Sequence, residues 1–191
     1  GDLLALARRE GADFHFGVGW DGSLPEGSDV VIDCRGIGAR GELKDLRGVR
    51  GERLLVRTNE VVLSRPVRLL HPRHPLYVVP WGGGRFLVGA TVIETNDPRP
   101  MTVRSALELL GLAYALHPAF GEAQVEEMSA GVRPAFPDNV PRVVVGDKGT
   151  IIRVNGAFRH GFLLAPVMAA VVAGLLQDDD FAHPLLLRRS G

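Results

Sequence analysis

Residues 155–166 read Asn155-Gly156-Ala157-Phe158-Arg159-His160-Gly161-Phe162-Leu163-Leu164-Ala165-Pro166, with an apolar segment on each side. Ile151, Ile152 and Val154 predict a short buried strand before it, and residues 162–176 predict a core helix with almost no polar face. The join is a turn. Gly156 and Gly161 allow backbone angles that other residues resist, and the first amides of the helix have no partner within it, which suits an anionic or electron-rich ligand. A strand, a tight turn and a buried helix with no ligand fit the same local pattern. Arg159 favours the ligand. Between Phe158 and an apolar helix start it is expected to be buried, and a buried guanidinium needs an anionic or carbonyl partner.

Outward from this turn, the run Val30-Val31-Ile32 predicts a strand buried on both faces of an α/β sheet. It is followed by Gly36-Ile37-Gly38-Ala39-Arg40-Gly41, a literal G-x-G-x-x-G, with Glu60 about 20 residues further on. A dinucleotide loop opens a crossover helix of about a dozen residues, whereas only 42–46 precede Gly48. The expectation is therefore a strand end whose glycines let the backbone pass close to a ligand or another loop. At the start of the chain, residues 2–9 predict a helix and the alternation Phe14, Phe16, Val18 predicts a strand.

From Glu52 the pattern becomes strands, at 54–56, 67–70, 76–79 and 86–93. Trp81-Gly82-Gly83-Gly84-Arg85 reads as a hairpin loop that pairs 77–80 with 86–90 in antiparallel fashion. A helix over 103–116, ended by Pro118, is expected to cover one face of this sheet. A strand starting at 125–128 leads into Gly131-Val132-Arg133-Pro134, and a turn at 137–139 returns towards 143–145. The tail from Asp178 is expected to be loosely held. The predicted fold class is α+β or mixed α/β. An antiparallel sheet domain with a helix on one face (48–135) is inserted in an α/β domain made of 1–47 and 136–180, with a tail at 181–191.

The totals narrow the function. Of the 191 residues, 46% are hydrophobic, enough for a core, and 22 basic residues balance 22 acidic ones. No overall field attracts nucleic acid or an acidic membrane. The local basic excess between Arg35 and Arg73 reads as a solvated surface. The one cysteine, Cys34, cannot close an intramolecular disulfide, which fits a reducing, cytoplasmic setting. No signal peptide is evident, and the longest apolar run, 162–176, is shorter than the ~20 residues that span a bilayer.

Cys34, expected in a buried strand with no G-x-S-x-G elbow elsewhere, gives little support to nucleophilic catalysis. His71 and His74 flank a proline and have no accompanying cluster, so no metal site is expected. His160 reads as a proton carrier or as a turn residue. Tyr77, Arg133 and Arg159 could together bind a small carboxylate, because a guanidinium grips it through two charge-assisted bonds and a phenol adds a third. Alternatively, Tyr77 is an ordinary sheet aromatic and Arg133 a surface residue paired with Glu126 or Glu127.

The chain resembles the FAD-dependent glycine oxidase and D-amino acid oxidase family, most of all the bacterial glycine oxidases of thiamine biosynthesis. The residues that carry the resemblance are Val31-Ile32-Asp33-Cys34-Arg35-Gly36, Arg50-Gly51-Glu52, Tyr77-Val78-Val79-Pro80, Val88-Gly89-Ala90-Thr91, Ala130-Gly131-Val132-Arg133-Pro134 and Phe158 to Pro166. It extends from Gly1 to about Gln177, and its specificity lies in the order and spacing of these motifs together.

The resemblance implies that Arg133 and Tyr77 hold the substrate carboxylate and that Arg159 lines the same pocket. It also implies that Gly36 and the backbone of Gly156, Ala157, Phe158, Arg159, His160, Gly161, Phe162 and Leu163 lie against FAD. The implied reaction takes glycine or a similar small amine and oxygen to the imine and hydrogen peroxide, in thiamine (thiazole) biosynthesis. Trp81 departs from the arginine often found after Tyr-x-Val-Pro. The family's opening strand, G-x-G-x-x-G loop and helix have no counterpart in this sequence, so the chain is expected to be the later portion of such an oxidase. Flavin binding by this portion alone and a homo-oligomeric state are left open, and a carboxylate-binding or interaction domain that has lost flavin is the alternative.

Overall fold

The computed structural model describes residues 2–70, 76–146 and 149–188. A first helix, α1 (Asp2–Arg9), precedes β1 (Val31–Asp33) and a 3-10 turn at Gly36–Ala39. Then follow β2 (Arg47–Arg57), β3 (Val67–Leu69), β4 (Leu76–Gly82), β5 (Arg85–Gly89), α2 (Val103–Leu116) and a second 3-10 turn at Pro118–Glu122. The chain ends with β6 (Gln124–Ala135), β7 (Arg142–Val145), β8 (Ile151–Asn155), α3 (Gly161–Gln177) and β9 (Leu186–Arg188). The strands form a five-stranded sheet in the order β3-β4-β5-β2-β6 and a four-stranded sheet in the order β1-β8-β7-β9. This is the mixed architecture expected from the sequence.

The five-stranded sheet is antiparallel throughout. The glycine loop turns β4 back onto β5 and sets Tyr77 opposite Gly89. β6 runs unbroken through Pro134, further than the pattern at 125–128 implies; it lies at the sheet edge, where a proline costs no ladder bond. Thr102 caps α2 by accepting from the Ser105 amide at 3.3 Å. Leu109 and Ala113 of α2 then pack on Leu54, Val56, Val78 and Val88, which closes one sheet face. Side chains alternate along a strand, so the registers put Gly51, Arg53, Tyr77, Gly89 and Arg133 together on the opposite face.

The four-stranded sheet is mixed, with β8 parallel to β1 and antiparallel to β7. Val171, Val172 and Leu175 of α3 pack on Val143, Val145 and Ile152. Each such side chain contributes about 1.5–3 kcal/mol of burial. A third cluster, including Leu43, Leu46, Phe136 and Val144, joins the two sheets. Gly156 is essential to this joint. Its φ is +80°, and a Cβ there would lie 2.3 Å from the Phe136 ring. Gly156→Ala is expected to lose about 2–4 kcal/mol through the left-handed backbone and the overpacked ring, lowering the thermal midpoint by several degrees. An unchanged midpoint in a thermal melt would refute this.

Several expectations need correction. Residues 12–30 form no strand. Left-handed backbone at Gly11 and Gly17 interrupts the alternation, and Phe16 and Val18 are exposed. The run at 30–32 is not buried on both faces: among the described residues β1 is a short edge strand paired only with β8, and Ile32 is exposed. Cys34 lies just beyond β1 and is also exposed, not buried in a strand. β5 stops at Gly89, and only Ile93 of the stretch after it returns to bridge Arg50. The tail is held, because Leu186–Arg188 pairs in parallel with β7. α3 is not wholly a core helix, since Phe162, Leu163, Val167 and Leu176 are exposed. One face of the helix meets the sheet, and no described residue covers the other.

Candidate functional site

The open face of the five-stranded sheet holds a cavity of about 340 Å³ lined by Gly51, Arg53, Tyr77, Ser129, Val132 and Arg133. Glycine builds its floor. A Cβ on Gly51 would lie 1.9 Å from a terminal nitrogen of Arg133, and one on Gly89 would lie 3.0 Å from the Tyr77 hydroxyl. Both side chains can therefore lie flat on the sheet only because their neighbours have no side chain of their own.

Arg133 donates from Nη1 to the Thr91 carbonyl at 3.3 Å. Burial lowers its pKa first and foremost, the Tyr77 phenol acts in the opposite sense, and the Arg159 charge lowers it further. It pairs with neither acidic neighbour on its strand: Glu126 is engaged by Arg57, and Glu127 lies 3.7 Å from Arg53. Among the described residues Arg133 has no carboxylate partner. The surface-pairing alternative is thus removed, and a desolvated guanidinium faces the cavity with donors to spare.

The floor is fixed from below by a buried ion pair. Arg50 donates to Glu52 Oε1 from Nε at 3.0 Å and from Nη2 at 2.7 Å. It also donates to the carbonyls of Asp97, Arg99 and Pro100. Glu52 Oε2 accepts from the Thr91 hydroxyl at 3.0 Å, and that hydroxyl accepts from the Glu52 amide at 2.9 Å. Burial pushes the Glu52 pKa up, but hydrogen bonds from Ser105, Arg50 and Thr91 and the Arg50 charge outweigh it, leaving the carboxyl below its usual range.

The turn at 155–161 stands beside this site. Phe158 donates its amide to the carbonyl of Pro134, the residue after Arg133. Asn155 ties the turn to the first 3-10 segment, donating from Nδ2 to the Gly36 carbonyl at 2.8 Å and accepting from the Gly156 amide at 2.8 Å. No crossover helix follows Gly36, as the short spacing to Gly48 requires. At the start of α3 the amides of Gly161, Phe162 and Leu163 precede the first bond of the helix ladder, that from Leu164 to His160. The His160 side chain makes no capping bond, and no acidic residue lies in the first turn. Among the described residues this end of the helix dipole therefore has donors outside the helix ladder and no acidic residue in its first turn, which suits an electron-rich ligand.

The structure brings Tyr77 and Arg133 into one cavity. It does not bury Arg159, which is exposed and outside that lining, although its charge is felt at Arg133. Arg159 is therefore not the buried guanidinium its apolar neighbours in sequence suggest, because the turn leaves it exposed. The side chains of Phe162 and Leu163 are exposed as well. A larger cavity of about 530 Å³ lies between α3 and the β1–β8 edge, among Ile32, Val154, Met168, Ala169 and Val172. It has no charged group to orient a small polar substrate. His71 and His74 lie outside the described residues, among which no group of three metal-capable side chains occurs. No helix among them is long and apolar enough to cross a membrane.

The cavity that holds Tyr77 and Arg133 lies beside the glycine turn, and residues 2–175 match the FAD dependent oxidoreductase family. The chain belongs to that family. It is 58% identical over 172 residues, 90% of its length, to a Rhizobium etli protein named as a thiamine biosynthesis oxidoreductase, ThiO, of which it covers 52%. It is 29% identical over 138 residues to the glycine oxidase of Geobacillus kaustophilus, covering 72% of this chain and 36% of that protein. The crystal structure of glycine oxidase from that organism superposes with a TM-score of 0.65 at 27% identity, over 76% of this chain and 40% of that one. The chain thus spans about half the length, or less, of these relatives.

Gly51, Glu52 and Thr91 have no role in a reading by charge and nucleophile chemistry. The available signal is glycine inside strands, at Gly51 and Gly89, where a strand gains nothing from glycine unless another group passes close by.

Proposed function

We propose that the chain is the substrate-binding part of a cytoplasmic FAD-dependent amino acid oxidase. The whole protein would oxidise glycine or a similar small amine in the supply of the thiazole of thiamine. The observation that carries this reading is the half-buried, carboxylate-free Arg133 lying over Gly51 beside Tyr77. Family membership and the names of the relatives support it.

In this reading Arg133 binds the substrate carboxylate through two parallel N–H donors, and Tyr77 adds a hydroxyl donor. The grip would fix the amine end of the substrate relative to the turn at 156–163, whose amides and helix end would hold the cofactor. Flavin, when bound, would take the hydride from the substrate alpha carbon and pass its electrons to oxygen, giving the imine and hydrogen peroxide. The chain needs no acid–base pair of its own for this; its task is orientation and charge complementarity.

Two measurements test the proposal. Purified protein should show flavin absorbance near ~450 nm, or acquire it on addition of FAD. Arg133→Ala should weaken binding of glycolate, a carboxylate without the amine, by roughly tenfold to a hundredfold, the loss expected for hydrogen bonds to a charged group. Unchanged glycolate affinity would remove the carboxylate assignment. Protein that stays colourless with added FAD yet still binds glycolate through Arg133 would be a carboxylate-binding domain without flavin.

A further inference from the structure

We infer that Thr91, clamped by Glu52, is a positioning residue that sets the place of Arg133 over the pocket floor; this rests on the reading of Arg133 as the carboxylate ligand. Thr91 is buried and is not among the residues that line the cavity. Its backbone carbonyl is the acceptor that the structure gives the Arg133 side chain. What holds that carbonyl is therefore what aims the guanidinium.

The regular ladder stops at Gly89 and residues 90–92 lie outside it, before Ile93 exchanges two backbone bonds with Arg50. Thr91 makes good the deficit with three bonds to one residue. Its amide donates to the Glu52 carbonyl at 3.2 Å, its hydroxyl accepts from the Glu52 amide at 2.9 Å, and the same hydroxyl donates to Glu52 Oε2 at 3.0 Å. Glu52 is in turn held by Arg50, which binds its other oxygen and itself donates to three backbone carbonyls. The path from Arg50 through Glu52 to Thr91 is thus a run of buried hydrogen bonds, and the part-buried bond from Arg133 to the Thr91 carbonyl continues it to the pocket. Arg133 has no carboxylate to compete for it, so the 3.3 Å bond to Thr91 is its tether among the described residues.

Hydroxyl removal separates positioning from packing. Thr91→Val keeps the shape but leaves the Glu52 amide and Oε2 without this partner, whereas Thr91→Ser keeps the hydroxyl and loses a methyl. Two readouts apply to the purified protein: the ¹⁵N signals of the Arg133 guanidinium, assigned by their disappearance in Arg133→Lys, and glycolate affinity by calorimetry. Thr91→Val is expected to speed guanidinium rotation and weaken glycolate roughly tenfold, with Thr91→Ser within about twofold of the parent on both. A merely structural threonine would shift the thermal midpoint in both variants without touching the guanidinium signals. Guanidinium signals and glycolate affinity in Thr91→Val equal to the parent would overturn the inference. Glycolate affinity untouched by Arg133→Ala would overturn the carboxylate reading instead, and the ligand-free guanidinium signals would still decide whether Thr91 positions Arg133.

Discussion

Gly51→Ala is expected to abolish most carboxylate binding while leaving the protein folded. The added methyl would sit 1.9 Å from Arg133 Nη1 and 2.0 Å from both Cζ and Nη2, distances at which something must move. The backbone cannot easily do so, because Gly51 lies mid-strand in β2 opposite Gly131 and between the buried Arg50 and Glu52. What can move is the far end of the arginine. Its head swings off the floor, the bond to Thr91 breaks, and the donors no longer converge with Tyr77. The loss is that of a charge-assisted grip, about 1.5–3 kcal/mol or roughly tenfold to a hundredfold in the glycolate dissociation constant. Gly111→Ala, at an exposed position of α2, is the control, since a Cβ there meets nothing within 4 Å. Calorimetric titration of the two variants decides the point. Equal affinities would mean that Gly51 does not set the site.

That prediction depends on contacts which the linear order of residues only half discloses. Tyr77 and Arg133 are legible as candidate carboxylate ligands because their chemistry is rare at the ends of apolar segments, and the structure brings the two into one cavity. The hairpin β4–β5 and helix α2 are legible because local glycine, proline and periodic leucine report local structure. The floor is not, because it is made by an absence. Gly51 acquires meaning only when β6 lays Arg133 across it, and the register of β2 with β6 joins residues some eighty positions apart. The errors have the same origin. Phe14, Phe16 and Val18 have the alternation of a strand but no neighbour to pair with. α3 has the composition of a core helix but a single sheet face to lie on, and Arg159 has apolar neighbours in sequence but solvent around it in space. Periodicity states which face a segment would bury; it cannot state whether a second layer is there to bury it.

The largest loss of stability is expected from Arg50→Ala. Arg50 is 3% exposed and Glu52 fully buried. All the N–H groups of the Arg50 guanidinium are engaged, by Glu52 and by the carbonyls of residues 97, 99 and 100. Truncation strands a buried carboxylate and releases the 97–100 segment that leads into α2, at a cost of about 3–5 kcal/mol. The pH dependence gives this a sign. In the parent the Glu52 pKa is held below its usual range, so its contribution is present above the unfolded value and lost as pH falls through the folded one. Without Arg50 the opposing effect of burial gains weight, and the carboxyl is expected to take up a proton more readily folded than unfolded. The variant therefore gains relative to the parent as pH falls, and the gap between them should be widest near neutrality and narrow towards about pH 4. Urea midpoints at the two pH values measure it. A constant gap would show that the lost hydrogen bonds, and not the stranded charge, account for the effect; a gap under about 1 kcal/mol at neutral pH would show that the pair does not hold the floor at all.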